Sequence, residues 1–465
     1  MTMEPGSEID LRRLEDLHVL VIGAGVTGRA LADFVAMRAA SVEVLDERAE
    51  GALRDLPKVV DLAIVSPGWQ PNHPIITELK SREIPTLSEI DFAWQMKQMI
   101  APSQRWIALT GTNGKTTTIQ MVENIMRSAG VAGVACGNVG RTVIESLDPE
   151  IEVLAIELSS FQIHWSQQAR FEAIALLNIS PDHIDWHGSF DSYRDAKLKL
   201  VAMSERALIN IGDATLSRAW PELERSNSSA LIPFHLGSPA AGEIGLVEDL
   251  IVDRALVTDP NQAEVLVELD SIPSKAPHNL SNAMAAAALA KMVGINPEAI
   301  SQGLNSFVLD HHRLERVAEV GDVLWVDDSK ATNPHAAMAA LLAHTSVIWI
   351  AGGLAKGASM DELVRATSSR IRAAILIGTD APLIRNALLD ARPELKIVDL
   401  GADVLSGKEI MRKVVTVAKN LASRGDTVLL APACASMDQF TSYAERGRLF
   451  QEMVQEIVRD ESRGT

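Results

Sequence analysis

Short apolar runs bounded by glycine- or proline-containing turns alternate along this chain with longer stretches of helical period, the pattern of an α/β protein with largely parallel sheets. His18–Ile22, Ser41–Leu45 and Leu62–Val65 are the first such strands, with a helix to about Arg38 between the first two. Trp106–Thr110 opens a second series, continued by Ile151–Ile156 and Ile174–Leu177. From about Gly242 to Leu269 the segments become short and alternating, as in Leu250–Val252 and Val265–Val267, which predicts a small antiparallel part. A third alternation starts near Asp310 and predicts strands at Val323–Val326, Val347–Ile350, Ala374–Ile377 and Thr427–Leu430. Ala101-Pro102-Ser103 reads as a linker. The expected domains are therefore 1–103, 104–308 and 309–465.

Composition narrows the picture. A chain of 465 residues with 47% hydrophobic content has material for several cores. A net charge of −18 argues against a nucleic-acid surface, which needs basic residues to displace counterions. The two cysteines, Cys136 and Cys434, imply no disulfide framework and favour a reducing compartment. The stretch Met1 to Asp10 lacks the apolar core of a signal peptide, and no run reaches membrane-spanning length. These readings predict a cytoplasmic protein with no nucleic-acid or membrane partner, and a monomer is expected.

The strand ending at Thr110 runs into Gly111-Thr112-Asn113-Gly114-Lys115-Thr116-Thr117, with a helix opening at about Thr116. Gly111 and Gly114 can take backbone angles closed to other residues, so successive N–H groups can turn inward around phosphate oxygens, with the positive helix end behind them. Lys115 adds a mobile point charge, and the Thr116 or Thr117 hydroxyl can ligate magnesium. The usual phosphate loop has a glycine where this chain has Leu109, so the loop is a shortened variant. Ile151–Ile156 delivers Glu157 at its tip, the carboxylate a magnesium ion beside such a loop requires.

Other motifs are less specific. Gly23-Ala24-Gly25-Val26-Thr27-Gly28, with Asp46 ending the second strand, is a dinucleotide-type fingerprint that fits NAD, FAD or another nucleotide diphosphate. Ser66-Pro67-Gly68 lies at a strand's carboxyl end, where open sheets collect ligands. His183 and His187 have zinc-like spacing, but Pro181 and Gly188 argue for a loop, and His187 reads as a packing histidine. Lys197 and Lys199 read as surface lysines of a helix. Asn279 and Asn282 can cap the helix that follows or hydrogen-bond an adenine edge. The strand-end loops of the last domain gather lysines, a threonine and a serine, which suits an acidic small molecule. An oxidoreductase built on the first fingerprint would leave the Gly-Lys-Thr loop without a use.

Several stretches occur in one order: Thr110 to Thr116, Glu157-Leu158-Ser159-Ser160, Asn178 to His183, His278 to Asn282, His312-Arg313, Asp328 to Asn333 and Ala433 to Phe440. Together they resemble the Mur ligases over nearly the whole chain. The phosphate loop is shared with folylpolyglutamate synthases, whereas Asp328 to Asn333 and Ala433 to Ser436 point to the D-glutamate-adding branch. The resemblance implies an N-terminal Rossmann-like nucleotide-binding domain, a central P-loop-type ATPase domain with a parallel sheet and a small antiparallel part, and a C-terminal Rossmann-like α/β domain. It implies ATP-dependent ligation of D-glutamate to UDP-N-acetylmuramoyl-L-alanine through an acyl phosphate, in peptidoglycan precursor synthesis.

Carried over by position, Val26, Thr27, Asp46, Glu47, Arg48, Ser66, Pro67, Gly68, Asn138 and His183 would hold the UDP substrate. Gly111, Thr112, Asn113, Gly114, Lys115, Thr116, Thr117, Asn279, Asn282, Arg313 and Asp328 would bind ATP. Lys330, Thr332, Lys356, Ser436 and Tyr443 would bind D-glutamate. Two magnesium ions are implied, with Thr116, Glu157, His183 and a carbamylated Lys197 as ligands; Lys115, Glu157, His183 and Lys197 would be the catalytic set. Tyr443 and Asp327 depart from the family pattern, which has phenylalanine and asparagine there.

Overall fold

A strand covered by helices on both faces must be apolar at successive positions, and the inner strands Leu62–Val65, Val347–Gly352 and Thr427–Leu430 meet that condition. The computed structural model describes residues 10–47, 49–226, 228–259, 261–308, 311–401 and 406–463. Arg48, expected at the UDP end, lies outside the described residues. The chain divides into two compact units, Met1–Ile179 with Asp191–Val308 and Ser180–Phe190 with Leu309–Thr465. Among the described residues no helix is long and apolar enough to cross a membrane.

The first unit contains two sheets. β1 (His18–Ile22), β2 (Ser41–Leu45), β3 (Leu62–Val65) and β4 (Thr86–Ser88) pair in parallel in the order β2-β1-β3-β4. The first three match the predicted strands. The second sheet contains β5 (Arg105–Thr110), β6 (Gly133–Gly137), β7 (Val153–Glu157), β8 (Phe171–Leu176), β9 (Ser204–Asn210), β10 (Ala230–Phe234), β11 (Ile244–Val247), β12 (Leu250–Asp253) and β13 (Glu264–Glu268). Their order is β13-β12-β11-β10-β9-β8-β5-β7-β6. Pairing is parallel from β6 to β11, and β11-β12-β13 is the expected antiparallel part.

β5 sits between β7 and β8, where the strand order reverses, and this is the place at which open α/β sheets bind ligands. The two sheets are joined directly. Ser88 caps the helix Glu89–Ile100, and the Asp91 carboxylate accepts the backbone N–H groups of Gln167 at 2.7 Å, Gln168 at 2.9 Å and Ala169 at 2.9 Å. Trp165 also packs into the core of the first sheet, its indole N–H donating to the Trp69 carbonyl at 3.1 Å.

The second unit is built on β14 (Glu315–Val320), β15 (Val323–Asp327), β16 (Val347–Gly352), β17 (Ile371–Ile377), β18 (Lys396–Asp399) and β19 (Thr427–Leu430), in the order β14-β15-β19-β16-β17-β18. β14 alone is antiparallel to its neighbour, through a tight turn with Gly321 and Asp322 both at positive φ. Along β16, Val347, Trp349 and Ala351 enter one core while Ile348 and Ile350 enter the other, so both faces are covered. The long helix Tyr443–Arg463 lays Leu449, Phe450, Met453 and Val454 on the second of these cores.

Candidate active site

β5 ends at Thr110, and the helix Lys115–Ser128 begins one residue earlier than predicted, with Gly114 as its N-cap at φ +84°. A Cβ at Gly114 would lie 2.4 Å from Asn282 Oδ1, so glycine is required both by the backbone angle and by this close approach. Asn178 braces the loop from the end of β8. Its Oδ1 accepts Asn113 N–H at 2.8 Å, its Nδ2 donates to the Asn113 carbonyl at 3.0 Å, and its own carbonyl accepts Thr112 N–H at 3.0 Å. The Lys115 ammonium donates to the Gly111 and Thr112 carbonyls, each at 2.9 Å.

Lys197 is not a surface lysine as its helical pattern predicts. It is 1% exposed, and its ammonium donates to the Gly111 carbonyl at 2.9 Å and the Thr110 hydroxyl at 3.2 Å, above the Tyr193 ring. A long aliphatic stem lets its charge reach a polar loop through apolar surroundings. Lys199 instead donates to the His164 carbonyl from a half-buried position. Asn279 and Asn282 are not caps either. Ala276 is the N-cap of Pro277–Met292, and both asparagines are buried inside that helix.

Glu157, at the tip of β7, is 1% exposed. Its Oε1 accepts Asn138 Nδ2 at 3.0 Å, while Oε2 is buried without a hydrogen-bond partner, as is the Thr117 hydroxyl. Thr116 is half-buried at the same helix start. Orphaned hard oxygens beside a phosphate loop match the ligand preference of magnesium, so this donor set fits the ion.

At the first sheet, the helix Val26–Ala36 starts at Gly25 with no side-chain cap, leaving its first N–H groups open to an anion. Asp46 accepts Ala24 N–H at 2.8 Å and Ala49 N–H at 3.1 Å, and Glu47 pairs with His73 at 3.1 Å. Ser66, whose hydroxyl is buried without a partner, lies against Gly23, where a Cβ would approach the Ser66 side chain to 2.9 Å. The structure thus brings Asp46 and the Ser66-Pro67-Gly68 turn to the glycine loop.

In the second unit three strand-end loops are knit together. Leu354 and Ala435 exchange two backbone hydrogen bonds of 2.9 Å, and Ala433 N–H donates to the Ala331 carbonyl at 2.9 Å. These loops carry Lys330, Thr332, Lys356 and Ser436. Lys330 lies 5.3 Å from the centre of the Tyr443 ring. Lys356 pairs with Asp182 at 2.8 Å and meets His183 Nε2 at 3.5 Å, in the Ser180–Phe190 segment that belongs to this unit. His183 has φ +53° and opens a single helical turn, Ile184–His187, where the sequence predicts a loop.

Burial raises the Asp328 carboxyl to about 7, opposed by the Leu314 N–H and the Arg313 charge. Asp327 is enclosed and accepts His312 Nδ1 at 2.6 Å, Gln451 Nε2 at 2.9 Å and Ser329 N–H at 2.9 Å, and its hydrogen bond raises the His312 pKa.

Sequence reasoning gave no role to Asn178 and Asp182, which lie in the Asn178 to His183 stretch, and missed Arg446. Arg446 is 0% exposed and donates to Ser329, Gly352 and Cys434 in the three knit loops. Its signal was present: Arg446 shares the helical register of Leu449, Phe450 and Met453, an apolar face on which an arginine calls for a reason.

Residues 109–290 match the Mur ligase middle domain, and residues 312–434 match the Mur ligase, glutamate ligase domain. The chain belongs to the Mur ligase family. Among its relatives, a protein of Thermobifida fusca (strain YX) is 41% identical over 96% of this chain and 99% of its own length. One of Streptomyces coelicolor is 40% identical over 95% of this chain and 98% of its own. Both are named UDP-N-acetylmuramoylalanine--D-glutamate ligase. Solved structures share the fold. A pseudomurein peptide ligase type C from Methanothermus fervidus has a TM-score of 0.59 at 16% identity, covering 95% of this chain and 100% of that one. MurF from Acinetobacter baumannii has 0.58 at 18% identity, covering 96% and 92%.

Proposed function

We propose that this chain joins D-glutamate to UDP-N-acetylmuramoyl-L-alanine in an ATP-dependent reaction of peptidoglycan precursor synthesis. The observation that carries the reading is the likeness, along nearly the whole chain, to relatives named for that ligation. It is supported by a phosphate loop at the strand-order reversal and by lysines and a serine on the knit loops of the second unit.

Lys115 and the loop amides hold the ATP phosphates as the alanyl carboxylate attacks the γ-phosphate, giving an acyl phosphate and ADP. Magnesium, with Thr116 and Glu157 as ligands, supplies charge neutralisation there. Asn279 and Asn282 face the adenine. Lys330, Thr332, Lys356, Ser436 and Tyr443 hold D-glutamate, whose amine attacks the acyl carbon as phosphate leaves. Lys197 would carry a carbamate in place of its ammonium, formed when the neutral amine adds carbon dioxide and loses one proton, and this group would hold a second magnesium ion. The UDP end lies along Val26, Thr27, Asp46 and Ser66-Pro67-Gly68.

Phosphate release with ATP, magnesium and UDP-N-acetylmuramoyl-L-alanine tests the reading across a panel of amino acids. Release that depends on D-glutamate is expected; equal release with L-glutamate or with a different amino acid would overturn it.

A further inference from the structure

Arg446 occupies a place where an arginine is costly. Its guanidinium is fully enclosed near the start of the helix Tyr443–Arg463, where the Asp438 and Asp327 charges bear on it but neither carboxylate hydrogen-bonds it. Burial lowers its pKa to about 10, which leaves it a cation at neutral pH. All its bonds go to loop acceptors. Nε donates to the Ser329 hydroxyl at 3.0 Å. Nη2 donates to the Ser329 carbonyl at 2.9 Å and the Cys434 carbonyl at 3.2 Å, and Nη1 to Cys434 at 3.2 Å and Gly352 at 3.4 Å. Ser329 closes the clasp by donating its hydroxyl to the Tyr443 carbonyl at 2.7 Å.

Ser329 and Cys434 follow β15 and β19, and Gly352 is the last residue of β16; the three strands are adjacent in the sheet. Ser329 directly precedes Lys330, Gly352 leads into the loop of Lys356, and Cys434 leads to Ser436. A planar fork with five donors can satisfy carbonyls from several directions at once, which a lysine or an apolar residue of similar volume cannot. An apolar replacement would leave the Ser329, Gly352 and Cys434 carbonyls buried without a donor, so the fork serves both the stability of these loops and their relative placement.

We infer that Arg446 is a positioning residue for the amino-acid substrate: it fixes the spacing of Lys330, Lys356 and Ser436 to which the two carboxylates of one amino acid are matched. This rests on assigning those loops to D-glutamate. Loss of the fork loosens the spacing of the amino-acid contacts and leaves the phosphate loop of the first unit as it is.

The test is initial-rate phosphate release by the full chain carrying Arg446→Lys, Arg446→Met or Ser329→Ala, with Lys356→Ala alongside and with thermal melting of each. Arg446→Lys raises the KM for D-glutamate about 10- to 100-fold, the size expected for losing charge-assisted hydrogen bonds. Ser329→Ala, which removes one acceptor, raises it less, and the KM values for ATP and the UDP substrate stay unchanged. Arg446→Met exceeds Arg446→Lys. If Arg446→Met does not fold, the other two substitutions still decide. An unchanged D-glutamate KM in both Arg446→Lys and Ser329→Ala, or an equal rise for all three substrates, overturns the inference. A Lys356→Ala protein with normal D-glutamate KM would instead overturn the loop assignment beneath it.

Discussion

Gly114→Ala is the most direct probe of the phosphate loop. The substitution asks alanine to hold φ +84°, which costs about 1–2 kcal/mol for a residue with a Cβ. It also drives that Cβ to 2.4 Å from Asn282 Oδ1 and 3.1 Å from its Cγ, an overlap worth a further 1–3 kcal/mol or so. The expected total is roughly 2–5 kcal/mol, a fall in melting temperature on the order of 10 °C. Combining Gly114→Ala with Asn282→Ala separates the two terms, because the second change removes the obstructing amide and leaves the backbone angle. The double substitution should lose about 1–3 kcal/mol less than the sum of the single ones, measured as a double-mutant cycle on thermal unfolding without nucleotide. Strict additivity would refute the reasoning, since it would mean that Asn282 is not what excludes a side chain from the loop.

Lys115→Ala should abolish D-glutamate-dependent phosphate release with little change in melting temperature; normal turnover would remove the loop from the reaction. Lys197→Ala should be inactive yet partly restored by small carboxylates such as formate, and indifference to them would count against a carbamate. Lys330→Ala and Lys356→Ala should each raise the D-glutamate requirement more than the ATP requirement, and equal effects would misplace the amino-acid site. Glu89→Gln reads a buried acid, for burial raises the Glu89 pKa from 4.5 to about 7. The folded protein holds a proton that the unfolded chain releases above pH 4.5, so this group's contribution falls as pH rises from 4.5 to about 7 and is level beyond. The variant lacks that loss and should gain up to about 3 kcal/mol over the parent across the window, with no difference developing below it. A stability difference that stays flat from acid to alkaline pH would show that Glu89 is not the titrating group.

The phosphate loop was legible because its physics is local: a strand, two glycines and a helix start lie within a few residues of one another. Lys197 was not, since the oxygens that receive its ammonium lie on Thr110 and Gly111, far away in sequence. A charged residue on a polar helix carries no mark of such a partner. Among the strands, β10 was hidden by Pro233, which argues against a paired strand yet pairs there with Ile209 of β9. β6 runs from Gly133 to Gly137 with Val134 its one β-branched residue, and its place at the sheet edge beside β7 is set by tertiary pairing. β14, Glu315–Val320, is polar and partly exposed, so its one sign in the sequence is the Gly321-Asp322 turn, whose residues tolerate positive φ angles. Arg446 is the opposite case, visible in the helical register and passed over.

The Asp91 carboxylate has a practical consequence for anyone exchanging segments among these ligases. A graft joined at the apparent linker, Ala101-Pro102-Ser103, would separate Asp91 from the three main-chain amides of Gln167, Gln168 and Ala169 that it receives. Where the two parents differ in that acid or in the shape of that corner, the carboxylate and the donors no longer meet. A chimera that works must move the Glu89–Ile100 helix and the 165–169 corner as a pair, whatever boundary the linear sequence suggests.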